Sequence, residues 1–296
     1  MNKIIVITGP TGVGKTKLSI ELAKKYNGEI INGDAIQVYK GLDIGSAKVL
    51  EEEKEGIVHH LFSIKNVCED YSIYNYQVDC RKMIKEVQDR GHTVIIVGGT
   101  GLYIKSALYD YTLEENKGEM DQEYEGVSTL ELYQRLISMD KDIEIDKNNR
   151  RRVIRALNYY IENGKSIREN DQGNKLLYDT IFIGLTMDRG KLYQRINDRV
   201  DKMIDMGLLD EVRGFYDENI RSKPLLSGIG YKEIYEYLDG NISWEEAIRL
   251  IKRNSRRYAK RQYTFFNNQF NIKWFMVDIN NFNNTVLEVE EYIDKL

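Results

Sequence analysis

Cysteine and proline are scarce: two of each in 296 residues. Two thiols cannot build a disulfide scaffold, and two prolines exclude a Pro-rich linker architecture. Cys68 and Cys80 lack metal or redox spacing and read as ordinary reduced thiols. No apolar run approaches the ~18 residues of a membrane span. The opening MNKIIVITGP enters a strand-like run and then a Gly-rich turn, without the longer apolar core and cleavage site of a signal peptide. A reducing, cytoplasmic protein with no membrane partner is expected. Positive charge is also in short supply: 43 basic side chains against 47 acidic give a net −4 and a pI near 5.7. Nucleic-acid-binding domains are usually basic, so the average argues against such a partner. What remains is globular: hydrophobic residues are 42% and charged residues 30%. The length suits about two domains and a sizeable core.

The average hides segregation. Residues 109–146 carry twelve acids and three bases, and residues 277–296 five acids and one base. Their combined −13 leaves +9 for the rest of the chain. Much of that excess lies in 147–155 (KNNRRRVIR), with five bases, and 249–261 (RLIKRNSRRYAKR), with seven, neither holding an acid. A charge run is usually a solvated helix face, but two beside acid-rich segments weaken that reading.

Residues 3–8 form a nearly continuous apolar run, as in a strand buried on both faces of a parallel sheet. A Gly-rich turn and a helix follow, with Leu18, Leu22 and Tyr26 recurring every four residues. Further strands are expected at 29–34, ending in Asp34, at 93–97, at 180–187 and at 273–278. Helical periodicity marks 75–90, 128–139, 150–163, 191–206, 208–219, 231–239 and 243–268, and Val286, Val289 and Ile293 predict a terminal helix on the sheet. The fold class predicted is α/β: a parallel sheet containing a phosphate loop and flanked by helices, with a smaller, mostly helical inserted domain. The expected divisions are a first core part at 1–106, an acidic helical insert at 107–150, and a core continuation with a C-terminal helix at 151–296.

Gly9-Pro10-Thr11-Gly12-Val13-Gly14-Lys15-Thr16 reads G-x4-G-K-[ST] between a strand and a helix. The glycines let successive N–H groups converge on phosphate oxygens, and the helix N-terminus adds positive potential. Lys15 contributes a point charge, and the Thr16 hydroxyl can hold Mg2+. A polyphosphate or pyrophosphate ligand follows. A phosphoryl-transfer enzyme also needs a carboxylate for Mg2+ at the end of an apolar strand. The strongest later strand ends instead in Gly98-Gly99-Thr100, so Asp34 is the only well-placed carboxylate. From position alone it could hold Mg2+, act as a general base or sit in a surface turn. His59 and His60 are adjacent; on a strand they point to opposite faces, which favours a structural role over a shared metal.

GPTGVGKT at 9–16, DAIQVYKGLDIGSAK at 34–48, HHL at 59–61, VGGTGLY at 97–103 and RRVIRAL at 151–157 occur in one order with RINDRVDKMIDMGLLDEV at 195–212, GIGYKEIYEYLDG at 228–240 and RRYAKRQYTFF at 256–266. In these segments the chain resembles the bacterial tRNA dimethylallyltransferases, also called tRNA isopentenyltransferases. The 34–48 segment and the late YAKRQ-x-T are specific; phosphate-loop kinases do not carry them. The resemblance implies transfer of a dimethylallyl group from dimethylallyl diphosphate to N6 of adenosine 37 in tRNA. The loop would then cradle the diphosphate of an allylic substrate, with Mg2+, and no second carboxylate is needed. By the same resemblance Asp34 is the base, Thr11 sits at the reacting centre and Arg199 binds diphosphate.

The resemblance also implies tRNA contacts from Asp34, Ala35, Ile36, Gln37, Thr100 and Gly101, from Arg151, Arg152, Val153, Ile154 and Arg155, and from Lys232, Lys260, Arg261 and Gln262. These include the two basic stretches found by counting. A monomer acting on the anticodon stem-loop is expected. The chain departs from the family pattern at Ala35, usually Ser, at Asn267, often Arg, and in the short acidic 107–146 stretch. Prenyl transfer to free adenine nucleotides and a nucleotide kinase are the alternatives.

Overall fold

The computed structural model describes residues 3–111, 113, 123–169 and 175–296. They fall into two compact units, one of residues 3–108 with 177–296 and one within Tyr109–Leu176.

The larger unit begins with β1 (Ile4–Thr8), the phosphate loop and α1 (Lys15–Lys25). Then come β2 (Gly28–Asn32), the two-residue β3 (His59–His60), α2 (Ile73–Asp89), β4 (Thr93–Val97) and α3 (Gly101–Leu108). The smaller unit supplies α4 (Thr129–Met139) and α5 (Arg150–Asn163). The chain returns through β5 (Thr180–Thr186), α6 (Arg189–Asp205), α7 (Leu208–Asp217), α8 (Lys223–Ser227) and α9 (Tyr231–Leu238). It ends with α10 (Trp244–Gln269), β6 (Lys273–Met276) and α11 (Phe282–Asp294).

All six strands are parallel, in the order β3-β2-β4-β1-β5-β6. Central β1 pairs Ile5 with Ile95 and Ile181, and its isoleucines are fully buried. Each such side chain contributes about 2 kcal/mol by leaving water, which is why this apolar run could only be an inner strand. The terminal helix forms as expected: Val286, Val289 and Ile293 join the sheet's core, while Lys25 pairs with Glu290 and Asp294.

Two expectations need correction. Strand β2 stops at Asn32, two residues before Asp34. The Asn32 amide takes over the backbone there: its Nδ2 donates to the Asp34 and Leu61 carbonyls, and its Oδ1 accepts the Asp34 N–H. Asp34 therefore stands on a pinned turn beyond the ladder. The second correction concerns the insert, which runs to Leu176 and contains α5. Leu132 and Leu136 of α4 pack with Val153, Ile154 and Leu157 of α5 in a core of their own. A division at 150 would cut through that core and leave two amphipathic helices without partners.

Candidate active site

The phosphate loop closes on itself before any ligand is considered. Gly9 has φ 136°, and a Cβ there would lie 2.5 Å from the Leu185 carbonyl oxygen. Only glycine lets the loop leave β1 this close to β5. Val13 is buried, so it holds the loop down and offers a ligand only its backbone. The Lys15 ammonium donates to the Gly9 and Pro10 carbonyls, both at 2.9 Å. Thr16 lies in the first turn of α1 and is exposed.

Helix α6 supplies a second wall. Its Arg195 and Arg199 are one helical turn apart and face the loop. Arg195 Nε donates to the Gly12 carbonyl at 3.0 Å, and Arg199 Nη1 to the Thr11 hydroxyl at 3.1 Å. Burial lowers the Lys15 pKa to about 8; the nearby Arg199 charge adds to this, and Asp34 opposes it. Burial likewise pulls Arg199 down, again opposed by Asp34. Two cations are thus forced together in a poorly solvated place, and an anion would relieve both.

Across from the loop lies the turn after β2. Asp34 Oδ1 accepts the Ile36 N–H at 3.0 Å, and the Thr100 hydroxyl accepts the Ala35 N–H at 3.0 Å. Gln37 Nε2 donates to the Ser46 carbonyl at 3.0 Å. Gln262 of α10 joins the two sides. Its Oε1 accepts the Thr11 N–H and its Nε2 donates to the Gly99 carbonyl, both at 3.0 Å.

Two residues here escaped the sequence reading. The Tyr258 phenol is pushed up to about 12, by burial first and then by Asp34, while contacts with Thr100 and Gln262 pull it down. It lay in plain view within YAKRQ, but helical spacing alone does not single out one tyrosine. Glu211 of α7 accepts the N–H groups of Asp43, Ile44 and Gly45 at 3.1, 2.7 and 3.1 Å, and the Tyr231 hydroxyl at 2.8 Å. This carboxylate shapes the segment that carries Gln37; it lies within the 195–212 segment, but nothing local marks its remote partners.

The Asp34 charge reaches both Lys15 and Arg199, and the Glu53 charge also reaches Arg199. Residues 37–269 match the model of the IPP transferase family. The chain belongs to that family. It is 50% identical over 299 residues to the tRNA dimethylallyltransferase of Anoxybacillus flavithermus, covering 99% of this chain and 96% of the relative. The tRNA isopentenylpyrophosphate transferase of Bacillus halodurans is 41% identical with a TM-score of 0.78, covering 100% of this chain and 96% of that one. A eukaryotic dimethylallyltransferase solved acting on tRNA is 31% identical with a TM-score of 0.85, covering 100% of this chain and 80% of that one.

The family's implied RNA-side residues divide by exposure. Lys260 and Arg261 are exposed, and with Arg257, Thr264, Phe265 and Asn268 they line a groove of about 540 Å3. Gln262 does not join them. It is 5% exposed, on the α10 stripe with Ala259 and Phe266, and both ends of its amide are engaged inside the protein. Gly101 is also buried, with Phe265 where a Cβ would point, so it offers no surface. Ala35 and Ile36 are half-buried with their N–H groups already bonded. Lys232 is half-buried, 3.8 Å from Glu233.

Within the smaller unit, Arg151, Arg152 and Arg155 are exposed on α5, whereas Val153 and Ile154 are 0% and 3% exposed. Those two cannot touch RNA, because they are the apolar face that holds α5 on α4. His60 bonds Glu29, His59 bonds the Ile57 carbonyl, and no metal-binding cluster of His, Cys, Asp and Glu occurs among the described residues.

Proposed function

We propose that this chain transfers a dimethylallyl group from dimethylallyl diphosphate to N6 of adenosine 37 in tRNA, releasing diphosphate. The observation that carries the reading is the two cations on the phosphate loop, Lys15 on the Gly9 and Pro10 carbonyls and Arg199 on the Thr11 hydroxyl, with the Asp34 charge reaching both. Breaking the allylic C1–O bond puts negative charge on the leaving diphosphate. Lys15, Arg199 and the loop's N–H groups meet that charge as it develops. The N6 lone pair is delocalised into the adenine ring, so attack on C1 needs its proton removed. Asp34 accepts that proton. Thr11 is held by Arg199 through its side chain and by Gln262 through its backbone, and in this reading it lies at the reacting centre.

Thr16 suits Mg2+ in one way only. A lone exposed hydroxyl fits a cation whose other ligands are diphosphate oxygens and water, the usual Mg2+ arrangement. Such an ion would supply further neutralisation of the leaving group. The base must leave its stack to reach Asp34, and in this reading Thr100 and Gln37 hold it. Lys260, Arg261, Arg151, Arg152 and Arg155 serve as phosphate contacts. We take the enzyme to act as a cytoplasmic monomer.

The test offers labelled dimethylallyl diphosphate with tRNA or with AMP. Label in tRNA, at N6 of position 37, is expected. Label confined to AMP, or ATP consumed without prenyl transfer, overturns the reading.

A further inference from the structure

We infer that Gln262 is a positioning residue that clamps the donor loop to the acceptor turn and so sets the gap across which the prenyl group moves. The inference rests on the function proposed above and assigns Gln262 a role other than RNA contact. Three segments far apart in the chain meet at this one side chain: the loop at Thr11, the β4–α3 turn at Gly99, and α10. The chemistry of the junction selects an amide. Thr11 presents a donor and Gly99 an acceptor, so the bridging group must accept at one end and donate at the other. A carboxylate would turn an acceptor toward the Gly99 carbonyl, and an aliphatic chain would leave both backbone groups unpaired.

Space is equally restrictive. A Cβ at Gly99 would lie 2.0 Å from Gln262 Nε2 and 3.3 Å from its Cδ, with Asp34 Oδ2 at 3.6 Å. The turn can approach α10 this closely only because residue 99 has no side chain. The bond to Thr11 matters because Arg199 grips the same residue through its hydroxyl at 3.1 Å. Thr11 is fixed from two directions, and the Gln262 arm ties it to the turn whose next residue, Thr100, accepts the Ala35 N–H. A slack clamp would let donor and acceptor drift apart without weakening either binding surface.

The experiment compares wild type with Gln262→Leu, Gln262→Glu and Gly99→Ala in single-turnover prenyl transfer with both substrates saturating. Binding of tRNA is measured separately at fixed salt. We expect each variant to slow transfer on the order of 10²-fold, the scale of a small misplacement of reacting atoms. Affinity for tRNA stays within about threefold, as for a change away from the RNA surface. The double variant Gln262→Leu/Gly99→Ala should be no slower than the slower single, because both break one bridge. Gly99→Ala opens the clamp from the other side if the Gln262 variants fail to fold. A wild-type rate in Gln262→Leu, a loss confined to tRNA affinity, or multiplicative effects in the double variant would each overturn the clamp. If the wild type transfers nothing to tRNA, the functional reading fails first and takes the clamp with it. Wild-type activity with an unaffected Gln262→Leu removes the clamp alone.

Discussion

Two carboxylates frame strand β2 and have opposite surroundings. Glu29 sits at its start, 4% exposed, and is saturated. Arg90 grips both its oxygens at 2.9 and 2.7 Å, and His60 and His92 take one oxygen each. The Arg90 fork outweighs burial, and with the two histidines holds Glu29 at about 2. Asp34 stands just past the other end. Its Oδ1 accepts one N–H, from Ile36, and among the described residues no side chain forms an ion pair with it. Lys15 and Arg199 feel its charge without gripping it. A carboxylate with every lone pair spoken for can only hold a fold together. One with a free oxygen beside an anion pit can take a proton. Both are carboxylates at the ends of one strand; the partners decide the use.

The sharpest way to break that contrast is Asp34→Asn, which keeps the shape and removes the proton acceptor. Turnover should fall by roughly two to four orders of magnitude with the melting temperature unchanged. A rate close to wild type would make Asp34 as structural as Glu29. Next in size, Arg199→Ala removes one of the two cations. Steady-state kinetics should show kcat/KM for the allylic diphosphate down on the order of 10²-fold, and an unchanged donor response would discredit the pit.

Glu29→Gln tests the other end. Removing the charge from a buried, fully paired site should cost about 3 kcal/mol in chemical denaturation while leaving the transfer rate alone. The wild-type protein should show the same group in acid. Because Glu29 is lowered in the fold from 4.5 to about 2, its stabilisation is complete above 4.5 and drains away as pH falls toward 2. A kinetic defect in Glu29→Gln would blur the two roles. The smallest effect belongs to Lys15. Its protonated form is strained in the fold, so that cost is present below about 8 and is relieved as pH rises toward 10.5. Donor binding needs the cation, so KM for the diphosphate should climb above pH 8 by at most about tenfold per unit. Arg199→Ala should shift the onset upward.

The contrast also marks what could be read along the chain. The apolar run of β1, the loop after it and the periodicity of α5 are local signals, and residues 4–8, 9–16 and 150–163 stand where those signals put them. Helix α3 was missed because Gly-Gly-Thr-Gly reads as a turn, yet Gly101 begins the helix, tucked under Phe265. The partners that give residues their roles are remote. Arg90 lies 61 residues from Glu29, Glu211 lies 167 from Ile44, and Gln262 lies 251 from Thr11. The family resemblance put Gln262 among the RNA contacts, together with Lys260 and Arg261. The i, i+3, i+7 spacing of Ala259, Gln262 and Phe266 was the available warning, and it points inward. Val153 and Ile154 carried the same warning inside an arginine run.

The chain leaves the larger unit at Leu108 and re-enters at Leu177, and the Leu177 N–H bonds the Leu108 carbonyl at 2.9 Å. Within the smaller unit Tyr109 likewise bridges Leu176. Exit and return are therefore a single doorway. Joining Leu108 to Leu177 by a tight turn asks little of the sheet, since the ends already meet and loop-closure entropy grows only slowly with what lies between. An insert joined this way can lengthen or shrink at little cost to the sheet. A strongly acidic segment and a run of arginines could thus be acquired together, as one replaceable part, while the sheet and its chemistry stayed as they were.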